Sequence, residues 1–147
     1  MKAHGLFTCI FLLAGFFASA QKYALIDQTL SHPVRYVNEI TAHDIREKVI
    51  PVEKKYLPEF LKALQIIKRE LDNNPKEPKA RNFQFGCTQI TGMVAALARE
   101  TRYNYVIKSD CDNLHTSFLI CDVKLKNSLN SFIVGTWIKY LKANMRK

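Results

Sequence analysis

Between Pro58 and Pro75 the apolar residues Phe60, Leu61, Leu64, Ile67 and Leu71 recur at spacings of three and four, with Lys62, Lys68, Arg69 and Glu70 on the intervening positions. That is the helical period, and it predicts an amphipathic helix. Asp72-Asn73-Asn74-Pro75 ends it, and residues 76–81 form a charged, proline-containing connector. A second helical stripe closes the chain. From about Asn127 or Ser128, both good capping residues, Leu129, Phe132, Ile133, Trp137, Tyr140 and Leu141 share one face. Lys139, Lys142, Arg146 and Lys147 gather toward its C-terminal end, where the helix dipole favours cations.

Elsewhere the pattern shortens toward the period of a strand. Residues 23–27 and 34–37 have strand composition with Ser31-His32-Pro33 between them, which predicts a small N-terminal hairpin or extended arm. Thr41-Ala42-His43-Asp44 has the form of a capping box, so a helix should begin near Ala42 and be interrupted by Pro51 and Pro58. Phe83, Phe85 and Cys87 alternate with Gln84 and Gly86, and residues 82–90 read as a half-buried strand. Residues 92–99 carry helix-favouring alanine and leucine, yet their short apolar run reads better as a buried strand, because residues 100–102 then turn into an evident strand at 103–108. Residues 110–113 are turn material, and 116–121 form another strand. This order predicts an α+β fold: an antiparallel sheet of about four strands, covered on one face by two amphipathic helices.

The start of the chain has a different character. Leu6 to Phe17 is an almost unbroken apolar run, and Ala18-Ser19-Ala20 matches a small-residue cleavage pattern, so residues 1–20 are expected to be a signal peptide and 21–147 a single exported domain. The run is too short to span a bilayer, and no transmembrane segment is expected in the mature chain. Cleavage takes one of the 22 basic side chains and none of the 13 acidic ones, which leaves a net charge of +8. Such a charge favours acidic partners. Outside the cytoplasm, in periplasm or extracellular medium, these are a protein or an anionic envelope polymer rather than nucleic acid.

Three cysteines remain after cleavage: Cys87, Cys111 and Cys121. In an oxidising compartment an odd count implies one disulfide and one leftover thiol, with the pair left open by the sequence. The sharpest chemical constellation is Cys87 with His115, with Asp110, Asp112 and Asp122 as orienting carboxylates and Gln84 as an oxyanion donor. A cysteine nucleophile needs an imidazole to hold it as thiolate and a polar group to fix the tautomer. If residues 88–101 were helical, this order of Cys, helix, strand and His would resemble the papain-like peptidases that trim cell-wall peptides, over a short stretch and without transfer of residue roles. No paired Cys or His spacing predicts a metal site, and no glycine loop or Gly-x-Ser-x-Gly setting predicts a cofactor or a catalytic serine.

Arg102, Tyr103, Tyr105 and Lys108 lie on or beside one strand, and tyrosine and arginine are enriched in binding hot spots. The reading favoured by the sequence is therefore a non-enzymatic exported binding protein of inhibitor or immunity type, without cofactor. The alternative is a small thiol hydrolase, a peptidase or cell-wall amidase, using Cys87 and His115 with Asp112.

Overall fold

A computed structural model describes residues 21–27, 33–46, 49–73, 81–97, 100–121 and 129–145, and only the backbone at 45–46, 93–97 and 100–103. The expected signal peptide lies outside the described residues. The fold is α+β, with two antiparallel sheets rather than one. In the first, β1 (Tyr23–Ile26) is central, between β2 (Val34–Val37) and β3 (Ile50–Glu53), and all four of its residues are buried. A short helix α1 (Ala42–Arg46) joins β2 to β3. The second sheet is a meander of β4 (Arg81–Phe85), β5 (Thr88–Leu97), β6 (Glu100–Ser109) and β7 (Thr116–Ile120). Helix α2 (Leu57–Asn73) precedes the meander, and α3 (Ser131–Met145) follows it.

The expected N-terminal hairpin forms as β1 and β2 and a helix does begin at Ala42, but the hairpin belongs to a three-stranded sheet, and strand β3 stands where the helix was expected to run on past Pro51. Pro51 ends up in β3, opposite Leu25 of β1, on an edge strand. An edge has one side on which a missing N–H costs nothing, and Ile50 and Val52 beside the proline are buried apolar residues suited to a strand. Pro58 lies in the first turn of α2, where its absent N–H would have no intrahelical partner in any case.

Thr41 and Asp44 do form the capping box. The Thr41 amide and hydroxyl donate to Asp44 Oδ2, each at 2.9 Å, and the Asp44 amide donates to Thr41 Oγ1 at 3.2 Å. Arg35 adds a charged hydrogen bond to Oδ1 at 2.5 Å. Burial raises the pKa of Asp44, but the bonds from Thr41 and Arg35 outweigh it and hold the carboxyl below its ordinary value of 3.8. A depressed folded-state pKa stabilises the fold above the unfolded value, and that contribution is lost as pH falls through the folded one. Asp44→Ala is thus expected to cost about 1 kcal/mol at pH 7. Urea titrations should show the difference from the parent persisting down to about pH 5 and fading below pH 4, where the parent loses its carboxylate too.

In the meander, residues 82–90 are not one strand but two, joined by a turn at Gly86-Cys87. Gly86 has φ +61°, in the left-handed region that breaks the alternation. Residues 92–97 continue β5 as a strand, paired with β6 from Thr88↔Ser109 to Leu97↔Glu100. Register places Phe83, Ile90, Ile107 and Phe118 in one row across the inner face, and Arg81, Gly92, Tyr105 and Ile120 in the next. Helix α2 meets this face through β4 and β6, and α3 packs along α2.

The core joins both sheets and both long helices, with Phe60, Leu64, Ile67, Ile90, Ile107 and Trp137 among its buried members. The Trp137 indole donates to the Asp27 carbonyl at 2.8 Å and so ties α3 to the end of β1. Leu129 precedes α3 instead of joining its stripe, bridging Ile120 at the end of β7. Asn130 caps the helix by accepting the Ile133 amide at 3.0 Å, while the start expected at 127–128 lies outside the described residues.

One polar cluster sits inside this core. Glu70 of α2, 9% exposed, accepts from Arg81 Nε at 2.5 Å and from the Tyr105 hydroxyl. Gly92 leaves room for the pair: a Cβ there would stand 3.0 Å from the Tyr105 ring and 3.4 Å from Arg81 Cβ. Among the described residues no helix is long and apolar enough to cross a membrane.

Candidate functional site

The residues with the most distinctive chemistry collect where the ends of the two sheets meet. Cys87 and Cys111 form a disulfide with Cα atoms 5.0 Å apart, joining the β4–β5 turn to a 3-10 turn at Cys111–Asn113. The Asp110 amide donates to the Cys87 carbonyl at 2.9 Å across the same junction. Thr88 and Ser109, both buried, donate from their hydroxyls to the Pro51 carbonyl at 2.5 and 3.4 Å, which docks β3 onto β5 and β6. An edge-strand carbonyl that would otherwise be buried without a partner is thereby satisfied.

Glu53, the last residue of β3, reaches over the β4–β5 turn and accepts the Cys87 amide at 3.2 Å. Only glycine fits beneath it. A Cβ on Gly86 would collide with the Glu53 carboxylate and stand 2.9 Å from the Tyr56 ring, on a backbone that L-residues adopt with strain. Gly86→Ala is expected to lower stability by about 2 kcal/mol or more in chemical denaturation, because space and conformation both oppose it.

Around this corner three lysines lie on tyrosine faces. Lys22 Nζ stands 5.0 Å from the ring centroid of Tyr23, Lys54 Nζ 5.1 Å from Tyr36, and Lys55 Nζ 5.1 Å from Tyr56. Backbone pairing brings them together: the Lys54 amide donates to the Lys22 carbonyl at 2.8 Å, and the Lys22 amide to the Val37 carbonyl at 3.1 Å. Lys22, Lys54, Lys55, Gln21 and Glu53 line an open hollow. Tyr23 is buried, and its hydroxyl donates to Asp112 Oδ1 at 2.9 Å. Burial is the main cause of its raised phenol pKa, so the ring stays neutral under its lysine. Asp112 and Asn113 have φ of 53° and 60°, a left-handed conformation that Asp and Asn accept more readily than most residues. A lysine over an aromatic face keeps its charge while its position is restricted, so an arriving anion meets a partly ordered cation.

The described residues of the hydrolase alternative fall at this corner in other roles. Cys87 is bonded to Cys111 and has no thiolate to offer, which removes the nucleophile of the hydrolase alternative. His115 pairs with Asp110 at 2.5 Å on the exposed surface, and Asp112 serves Tyr23. Gln84 donates to the Gly86 carbonyl at 2.7 Å within its own turn, and Asp122 lies outside the described residues. Cys121 is buried and stands outside the disulfide. Among the described residues no group of three His, Cys, Asp or Glu side chains could hold a metal.

The predicted binding strand divides. Tyr105 is fully buried, because β6 alternation turns it toward α2 and Glu70; it is a core residue and cannot touch a partner. Lys108 is exposed on the opposite face, between Gln89 and Ser117 in neighbouring strands. The side chains of Arg102 and Tyr103 lie outside the described residues. The Lys22–Lys54–Lys55 rim was not anticipated. Lysine beside tyrosine at 22–23 and 55–56 is a visible signal, but it marks a surface only once residues 50–53 are known to be a strand beside β1.

No protein-family model matches the sequence, and no curated protein or solved structure matches it either.

Proposed function

We propose that this chain is an exported, non-enzymatic binding protein of inhibitor or immunity type that recognises an acidic protein surface with the rim at its disulfide corner. Three lysine ammoniums, each over a tyrosine ring and drawn together by β1 and β3, are the observation that carries this reading. Export is supported by the apolar run ending at Ala18-Ser19-Ala20 and by the Cys87–Cys111 pair, since disulfides persist in oxidising compartments. The disulfide within the meander and the Thr88 and Ser109 bonds to Pro51 across the sheets favour recognition, because a surface that is already ordered loses less entropy on binding.

Retention on a polyglutamate matrix tests the rim against net charge alone. Lys22→Gln/Lys54→Gln/Lys55→Gln is expected to elute at clearly lower salt than a charge-matched control, Lys62→Gln/Lys108→Gln/Lys139→Gln. Co-elution of the two variants would mean that overall charge governs retention, and the rim would lose its role.

A further inference from the structure

Helix α3 is more apolar than its buried side requires. Val134, Trp137 and Leu141 are its buried residues and Ile133 and Ile138 pack partly buried against the same core, yet Phe132, Tyr140 and Met145 also lie along it. Phe132 is 68% exposed and Met145 40%, and these are the exposed large hydrophobic residues among those described. At about 3.6 residues per turn Phe132 falls on the side of α3 opposite Val134, Trp137 and Leu141, so the packing of the helix on the core does not account for it. The charges on α3 are all of one sign: Lys139 and Lys142, both exposed, with no aspartate or glutamate anywhere from Ser131 to Met145.

Phe132 borders a hollow with Gly135, Thr136, Lys139 and Tyr140, and Lys68 of α2 also lines it. The Lys68 stem fits closely over Gly135, 3.0 Å from where a Cβ would stand, and its ammonium bonds Asp72 at 2.7 Å and Ser131 at 3.2 Å. That lysine is neutralised and held in place, whereas Lys139 at the hollow and Lys142 one turn of α3 further on are both exposed.

We propose that the outward face of α3, led by Phe132 and flanked by Lys139 and Lys142, docks onto the surface of an anionic lipid bilayer. A second copy of this chain is a poor occupant, since a two-fold contact would set the same lysines against each other. A rigid protein partner would need a hole matched to a ring that projects into solvent, whereas a headgroup layer deforms around one. Lysine stems can lie along the apolar boundary while their ammoniums reach phosphate, and the aromatic ring inserts between them. The proposal shares no residue with the rim and stands without it.

Co-sedimentation with vesicles of phosphatidylcholine, with and without phosphatidylserine, tests it on the mature chain. Binding is expected only with phosphatidylserine. Phe132→Ala should weaken it about tenfold, from the loss of one buried aromatic ring, and Lys139→Gln/Lys142→Gln about twentyfold. Phe132→Trp should retain binding, with its fluorescence shifting to the blue on those vesicles. The rim variant Lys22→Gln/Lys54→Gln/Lys55→Gln should lose much less than the Lys139/Lys142 pair. The proposal is overturned if phosphatidylserine vesicles leave the protein in solution, if Phe132→Ala binds like the parent, if the Phe132→Trp emission does not move, or if the rim variant loses as much as the α3 pair.

Discussion

Replacing Cys87 and Cys111 together with alanine is expected to lower the unfolding free energy by about 3 kcal/mol, roughly a 10 °C fall in melting temperature for a domain of this size. The bridge closes a loop with a sequence separation of 24, which holds β5 and β6 between its ends. Cross-linking so long a segment restricts the unfolded chain more than a short loop would. In the folded state the same bridge positions the turn that Glu53 covers and the Cys111–Asn113 turn that receives Tyr23. The double variant should therefore also lose part of the rim's retention on polyglutamate while still folded in the cold. Thermal unfolding followed by circular dichroism measures the first effect, and elution salt at 4 °C the second. An unchanged melting temperature would show that the hydrogen bonds to Pro51 hold the corner without the bridge.

The second large effect is expected at Glu70. Arg81→Met removes the cation beside a carboxylate that is 9% exposed and should destabilise the protein by about 3 kcal/mol, because the buried charge left behind has lost its compensating partner. Replacing the whole cluster, Glu70→Leu/Arg81→Met/Tyr105→Phe, removes every polar group that needs a partner there. That triple variant should return to within about 1 kcal/mol of the parent. Urea unfolding of the single and triple variants decides the matter. Additive losses would mean that the cluster contributes through packing alone, and the recovery argument would fail.

What the sequence discloses follows from how locally each feature is determined. The spacing from Phe60 to Leu71 states the period of α2 within a few turns, and Thr41 with Asp44 states a helix start within four residues. Residues 92–97 are settled as strand by their neighbour, since Glu100 to Tyr105 pair with them residue for residue. Pro51 misleads, because whether a proline breaks a helix or sits harmlessly on a sheet edge depends on which strand lies beside it. Gly86 misleads for a related reason: in a window of alternating residues it passes for a solvent position, and only its positive φ marks a turn.

The site was legible in its ingredients and hidden in its assembly. Cys87, His115, Asp110 and Asp112 stand out as reactive residue types and do gather near one corner, but only His115 and Asp110 are local partners; Cys87 is bonded to Cys111 and Asp112 serves Tyr23, both distant in sequence. Tyr105 has the composition of a hot spot and the location of a core residue, a difference that rests on which face of β6 meets α2. The rim draws on residues 22–23, 36 and 54–56, three stretches that become neighbours only through pairing about β1.

The claim that this corner is an ordered recognition surface and not a thiol active site meets its most direct test in the cysteines of the purified, unreduced protein. Alkylation followed by peptide mass spectrometry is predicted to recover Cys87 and Cys111 in one cross-linked peptide pair, with Cys87 unlabelled at neutral pH. Rapid labelling of Cys87, with Cys111 bridged elsewhere or free, would contradict the account and restore a nucleophile beside His115.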